Sequence, residues 1–206
     1  MDLTTVTHAF PHDLIVIRHG QTDWNASGRY QGREDIPLND HGRRQARRNG
    51  EALKARLAET GRDPESYAWV ASPLKRAAET MRLVREAAGL DPLAFRTDER
   101  LMELDFGRWS GLRVPEIAQA DPGGWAARQA DPWNHPPPGG ESHAMVVGRL
   151  AAVLAELDRP AVLVLHGGVN RVLKVILGAM TEADAPTFHT PQDRFYAWSA
   201  GEVEWI

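Results

Sequence analysis

The sequence predicts an α/β protein, a three-layer α/β/α sandwich around a mostly parallel sheet with an antiparallel edge. Three observations carry this. The runs "LIVI" at residues 14–17 and "AVLVL" at residues 161–165 are apolar without alternation, the pattern of strands buried on both faces. Amphipathic helical patterns alternate with the strand runs, as in βα units. The chain closes on "RFYAWS", "AG" and "EVEWI", two short runs around a tight turn that form an antiparallel hairpin at a sheet edge.

In chain order, "DLIVIR" is the first strand, and "GQTDWNASGRYQGREDIPLN" is a long loop after it. Asn39 is the expected N-cap of a helix from about Asp40 to Thr60, with Ala46, Gly50, Leu53 and Leu57 on its apolar face. "SYAWVAS" is a second strand, and Ser72-Pro73 reads as an N-cap with proline at the first helical position. Leu74, Ala77, Met81, Val84 and Ala88 form that helix's buried stripe, and Gly89 stops it.

"PLAFRTDERLMELDFGRWSGL" is a short strand and an irregular, glycine-punctuated connection. Residues 121–140, "DPGGWAARQADPWNHPPPGG", are so rich in proline and glycine that they form the least regular segment, a surface cap bearing Trp125 and Trp133. "ESHAMVVGRLAAVLAEL" is a helix capped by Ser142, with Val146, Leu150, Val153 and Leu157 inward. "AVLVLHGGVNRVLKVILG" is a buried strand, a His-Gly-Gly turn and a helix bearing Val169, Leu173, Ile176 and Leu177.

At 206 residues one domain, 1–206, with a short tail (1–12) and the cap (121–140) inside it, is the expected organisation. Hydrophobic residues at 42% and charged residues at 25% exclude a disordered chain. A net charge of −4 opposes global attraction to nucleic acid, so no nucleic-acid partner is expected and any anion site must be local. Zero cysteines exclude disulfides, thiolate metal sites and a cysteine nucleophile, and they fit the reducing cytoplasm. "MDLTTVTHAFPH" lacks the basic start and apolar core of a secretory signal. The longest strongly apolar run, residues 161–165, is far short of the roughly 20 residues a membrane helix needs, so no membrane partner is expected. His8 and His12 have helical metal-ligand spacing, but Pro11 intervenes and no further ligand is evident.

Three strands end in polar chemistry: the first in Arg18-His19-Gly20, the second in Ser72 with Arg76 one turn on, the third in His166-Gly167-Gly168. Parallel strands would bring these groups to one edge, where α/β sheets bind ligands. Two guanidinium forks and two helix N-termini select an anion, most naturally phosphate. Two histidines exceed what phosphate binding needs, and His19 is the candidate nucleophile. Arg18 and Arg76 beside it should favour the neutral ring, and Gly20 permits close backbone approach, including a carbonyl that fixes the tautomer.

These residues resemble the histidine phosphatase superfamily, of phosphoglycerate-mutase-like fold, through "RHGQTDWN", "YQG", "PLNDHGRRQA", "SPLKRAAET", "ELDFGRWSG", "GGES" and "HGGVNR", in order from residue 18 to residue 171. The resemblance implies that His19 accepts the phosphoryl group and that Arg18, Arg76 and His166 hold it. It implies a phosphate contact for Asn25, a loop closing over the ligand for Gln31 and Gly32, and a proton donor in Glu103. Gly167 is a further candidate phosphate contact. Asp105 is the competing carboxylate, two residues on and on the same side of an extended segment; the family register selects Glu103. The family needs no metal or cofactor.

Three functions stay open at this level. The first is a phosphomonoesterase for a small phosphorylated metabolite, working through a phosphohistidine. The second is a cofactor-dependent phosphoglycerate mutase, which this chain resembles less in the cap: Val114 stands where mutases carry lysine, their adjacent arginine pair is reduced to Arg128, and Phe106 replaces a tyrosine. The third is a non-catalytic phospholigand-binding module, which intact His19, Glu103 and His166 disfavour. The cap tryptophans and prolines suggest an apolar, stiff lid over the leaving group, and the terminal hairpin offers an edge for a homodimer.

Overall fold

The computed structural model describes residues 10–206; the first nine residues, His8 among them, lie outside the described residues. Six strands form one sheet in the order β3-β2-β4-β1-β5-β6, with β1 Leu14–Arg18, β2 Ala68–Ala71, β3 Arg96–Thr97, β4 Ala161–Leu165, β5 Tyr196–Ser199 and β6 Glu202–Trp205. β1 and β2 both pair parallel with β4, and β3 pairs parallel with β2. β5 runs antiparallel to β1, and β6 antiparallel to β5. The expected three-layer sandwich, mostly parallel with an antiparallel edge, is the observed architecture.

Alternation along β1 divides the core. Leu14 and Val16 pack with Val146, Leu150, Val153 and Leu173 of helices α6 (His143–Ala155) and α7 (Gly167–Ile176). Ile15 and Ile17 point the other way, toward Leu53, Leu57, Met81 and Val84 of α2 (Asp40–Glu59) and α3 (Lys75–Ala88). Every residue of β4 is buried. Each fully buried aliphatic side chain contributes about 1.5–3 kcal/mol relative to exposure, so both layers anchor the strand ends that carry the site.

Asn39 caps α2 as expected, accepting from the Gly42 N–H at 2.9 Å, and Ser142 caps α6 through the Met145 N–H at 3.2 Å. Four elements differ from the sequence reading. The long loop after β1 contains a one-turn helix, α1 (Asp23–Ala26), closed by a capping box between Thr22 and Asn25. Helix α3 starts at Lys75 with Leu74 as N-cap, two residues later than Ser72-Pro73 suggests. The Ser72 hydroxyl is engaged elsewhere, 2.7 Å from His166 Nε2, and the backbone stays extended through Leu74.

The third difference is the cap. Helix α5 (Pro122–Ala130) gives order to the first half of the 121–140 segment expected to be irregular, and a second helix, α4 (Val114–Ala120), leads into it. Asp121 separates them: its Oδ1 accepts from the Gly124 N–H at 3.0 Å and its Oδ2 from Trp109 Nε1 at 3.0 Å. Pro122 then sits in the first turn, where a missing N–H costs nothing. The His-Gly-Gly stretch is also helical rather than a separate turn, since His166 is the N-cap and Gly167 the first residue of α7. No helix among the described residues is long and apolar enough to cross a membrane.

Candidate active site

The carboxyl ends of β1, β2 and β4 deliver Arg18-His19, Ser72 and His166 to one edge of the sheet. A cavity of about 500 Å³ opens there, lined by Arg18, His19, Asn25, Gln31, Gly32, Arg76, Glu103 and Gly167 among others. Every residue expected at the site therefore meets in one place, with His166 directly behind His19 at a ring-centroid separation of 5.0 Å.

His19 is almost fully buried, and its Nδ1 lies 2.7 Å from the Gly20 carbonyl. That contact makes Nδ1 the protonated nitrogen and leaves the Nε2 lone pair for chemistry. Burial is the main reason its pKa lies well below the usual imidazole value, with Arg76 and Arg18 adding to the effect. The neutral ring expected from the flanking arginines is thus produced chiefly by desolvation. Gly20 has a different reason from ligand approach: a Cβ there would lie 2.3 Å from the Gly42 carbonyl oxygen, because the strand end packs on the first turn of α2.

His166 is fully buried and its pKa is also held well below the ordinary value, by burial first and Arg76 next. With Nε2 on Ser72, its Nδ1 has no hydrogen-bond partner among the described residues. The Nε atoms of Arg18 and Arg76 are likewise buried without partners. Unpaired buried polar atoms are costly; Arg18 and Arg76 line the cavity, and the His166 ring lies 5.0 Å from that of His19.

Each arginine is held rigidly. Arg76 donates from its two terminal nitrogens to the Glu34 and Gly32 carbonyls, at 2.6 and 2.7 Å, and Arg18 donates to the Thr190 carbonyl at 2.5 Å. Burial pushes both guanidiniums down to about 10, with Glu103 opposing the shift. They remain charged at neutral pH.

Asn25 Oδ1 accepts from the Thr22 N–H at 3.2 Å and from Gln192 Nε2 at 3.1 Å, which leaves its NH2 as the donor available to the cavity. The buried Thr22 hydroxyl donates to Gln31 Oε1 at 2.9 Å and orients that amide in the same way. Gln192 also donates to the His19 carbonyl at 3.0 Å, tying the segment before β5 to the end of β1.

Glu103 occupies the mouth of α7. Its Oε2 accepts from the Gly168 N–H at 3.1 Å, and its Oε1 from Val169 and Leu104 at 3.2 and 3.0 Å. Helix N-termini hold carboxylates well. Asp105 points elsewhere, accepting from the Gly107 N–H at 2.8 Å, and is absent from the cavity wall. Of the two carboxylates, Glu103 lines the cavity and Asp105 does not.

Arg29, Arg128 and Arg171 also line the cavity, as do Tyr30 and His143, and the sequence reading assigned none of them to the pocket. Arg171 follows His166 by five residues, so it lies within the first turns of the same helix; that offset was a usable signal. Arg29 and Tyr30 arrive through loop packing that no local pattern encodes. The lid is accordingly not purely apolar: Trp125 and Pro132 line it, but so do Arg128 and His143. Trp133 turns inward and stacks on His143 at 5.6 Å.

A family model described as histidine phosphatase superfamily (branch 1) matches residues 14–199. Glucosyl-3-phosphoglycerate phosphatase of Mycobacterium tuberculosis is 36% identical over 187 residues, covering 84% of this chain and 78% of its own. The 2,3-bisphosphoglycerate-dependent phosphoglycerate mutase of Methylocella silvestris is 34% identical over 84% of each chain. The structure of mycobacterial glucosyl-3-phosphoglycerate phosphatase in complex with VO3 superposes with a TM-score of 0.75 at 32% identity, over 95% of this chain and 96% of that one. With a match spanning nearly the whole chain, this protein belongs to the histidine phosphatase superfamily, branch 1.

Proposed function

We propose that the protein is a phosphomonoesterase for small phosphorylated metabolites, acting through a phosphohistidine on His19. The observation that carries this reading is the His19 ring itself: neutral, locked by Nδ1 on the Gly20 carbonyl, and flanked by two guanidiniums with buried unpaired Nε atoms. The Nε2 lone pair attacks phosphorus in line and the P–O ester bond breaks. Glu103 passes a proton to the departing oxygen. Water then attacks phosphorus, giving its proton to Glu103; the P–N bond breaks, its electron pair returns to His19 Nε2, and inorganic phosphate leaves. Arg18, Arg76, His166 Nδ1, the Asn25 amide and the Gly167 backbone surround the phosphoryl oxygens, while Gln31 and Gly32 form the wall above.

The first relatives supporting hydrolysis are phosphatases, and a phosphoserine phosphatase of Hydrogenobacter thermophilus is 33% identical over 146 residues. No metal ion enters this scheme. A single domain working in the cytoplasm, with the free edge of β6 as the place where two copies would pair, completes the proposal.

Rapid quench into alkaline SDS with ³²P-labelled ester tests it, because a phosphohistidine survives base and hydrolyses in acid. An acid-labile phosphoenzyme in the wild type, its loss in His19→Ala and phosphate release that survives EDTA are the expected results. Turnover undiminished in His19→Ala would overturn it. Isomerisation of 3-phosphoglycerate outrunning hydrolysis, with 2,3-bisphosphoglycerate present, would assign the mutase reaction instead.

A further inference from the structure

Residues 188–192, just before β5, form neither helix nor strand, yet they hold the site from behind. The Phe188 carbonyl accepts from Arg171 Nε at 2.9 Å and the Thr190 carbonyl from Arg18 at 2.5 Å. Gln192 ends this strap, and it is the one residue of the five whose side chain bonds to the end of β1 and the loop after it. Its own carbonyl accepts from Asn49 Nδ2 of α2 at 3.2 Å, and Asn49 is buried, so the residue is anchored to the interior.

Gln192 Nε2 lies 3.0 Å from the His19 carbonyl oxygen and 3.1 Å from Asn25 Oδ1. A carboxamide keeps its shape when turned by half a revolution, so its neighbours alone decide which end points where. Here main-chain groups decide, and those cannot reverse. The His19 carbonyl only accepts, and it takes one Gln192 proton. The Thr22 N–H only donates, and at 3.2 Å it takes Asn25 Oδ1. The second Gln192 proton goes to that same Oδ1, so the two carboxamides agree. Asn25 consequently presents its NH2 to the cavity it lines. Reversed, it would set its NH2 against the Thr22 N–H and the Gln192 NH2, and would show a phosphate an oxygen in place of a donor.

We propose that Gln192 is a positioning residue for the phosphoryl group. It acts through Asn25, locking that carboxamide with its NH2 toward the phosphoryl oxygens, and it touches no substrate atom, since it is absent from the cavity wall. The proposal rests on the phosphatase reading for the role of Asn25 and extends the machinery to a residue behind the pocket. The Thr22 bond is the first lock on the amide and Gln192 the second. Gln192→Glu would bring an acceptor up to two acceptors, the His19 carbonyl and Asn25 Oδ1, and so favour the reversed amide.

Calorimetric binding of inorganic phosphate to the wild type, Gln192→Met, Asn25→Ala and the double variant tests this without turnover. Methionine matches glutamine in length and lacks the NH2. Gln192→Met should weaken phosphate by about fivefold and Asn25→Ala by about tenfold. The double variant should be no more than about twofold weaker than Asn25→Ala, because no amide is left to orient. Gln192→Glu should weaken binding by about thirtyfold, and kcat/KM for a phosphate ester should follow the same order. A thermal scan checks folding, and Gln192→Leu replaces the methionine variant in the cycle should that one not fold. No loss in the single variant, or the same fivefold loss repeated in the Asn25→Ala background, as a merely loosened strap would give, overturns the proposal. Intact coupling with no ester hydrolysed would instead fail the phosphatase reading and leave the positioning role standing.

Discussion

Replacing Gly168 by alanine moves Glu103 without deleting it. A Cβ at this position would lie 2.7 Å from Glu103 Oε1 and 2.8 Å from Leu104 Cδ1, whereas ordinary contact begins near 3.4 Å. The carboxylate must therefore retreat by about 0.7 Å, the difference between the 2.7 and 3.4 Å separations. Its three backbone donors, at 3.0 to 3.2 Å, cannot all follow. Displacing a reacting group by about 1 Å costs on the order of 100-fold, so kcat/KM for an alkyl phosphate should fall by about 10- to 100-fold. An aryl phosphate, whose leaving group departs without a proton, should lose no more than about threefold. Alanine gains up to about 1 kcal/mol of helix propensity against about 1–3 kcal/mol of overpacking. The melting temperature should thus drop by no more than about 8 °C. Steady-state kinetics on a matched alkyl and aryl pair, with a thermal scan, decides the matter. Equal losses on both esters, or none on either, would refute the placement of the proton donor.

Three further outcomes follow from the same geometry. Arg76→Lys keeps the charge but cannot span the Gly32 and Glu34 carbonyls while also presenting Nε, so kcat/KM should fall by about 100-fold or more, measurable by phosphate release. His19, His166 and His143, the last pushed down to about 4 mainly by burial, stay neutral in the fold while unfolded histidine gains a proton near 6.5; stability should therefore decline as pH falls from about 7 to 5, seen as a lower urea midpoint. A midpoint unchanged across that range would contradict it. Lys174, buried against Tyr196, Trp205 and Phe188, is pushed down to about 8 by burial, whereas unfolded lysine keeps its proton to about 10.4; stability should rise between those values, and Lys174→Met should remove the rise.

Much of this site was legible in the chain itself because its key residues sit at strand ends, where a two-sided apolar run stops abruptly. Arg18-His19 and His166 announce themselves that way, and Asn39 and Ser142 announce their helices by capping chemistry. What stayed hidden depends on tertiary meeting. Ser72 has the composition of a cap, yet His166, 94 positions away in sequence, claims its hydroxyl. Arg171 and Arg29 look like surface arginines until packing turns them into the cavity. The cap misled in the opposite direction: its prolines and glycines suggested irregularity, although Asp121 followed by Pro122 is a helix start, and Asp121 bonds to both Trp109 and Gly124.

The contact between the end of β1 and the first turn of α2 bears on how this protein tolerates change. Backbone meets backbone there, with Gly20 against Gly42 and Gly42 against Gln21, and neither glycine has room for one extra carbon. Inherited or engineered changes at these two positions will therefore silence the enzyme as completely as loss of an imidazole, by spoiling assembly rather than chemistry. A screen scored by activity alone will pool both kinds of loss, and only a parallel measure of soluble yield will sort them.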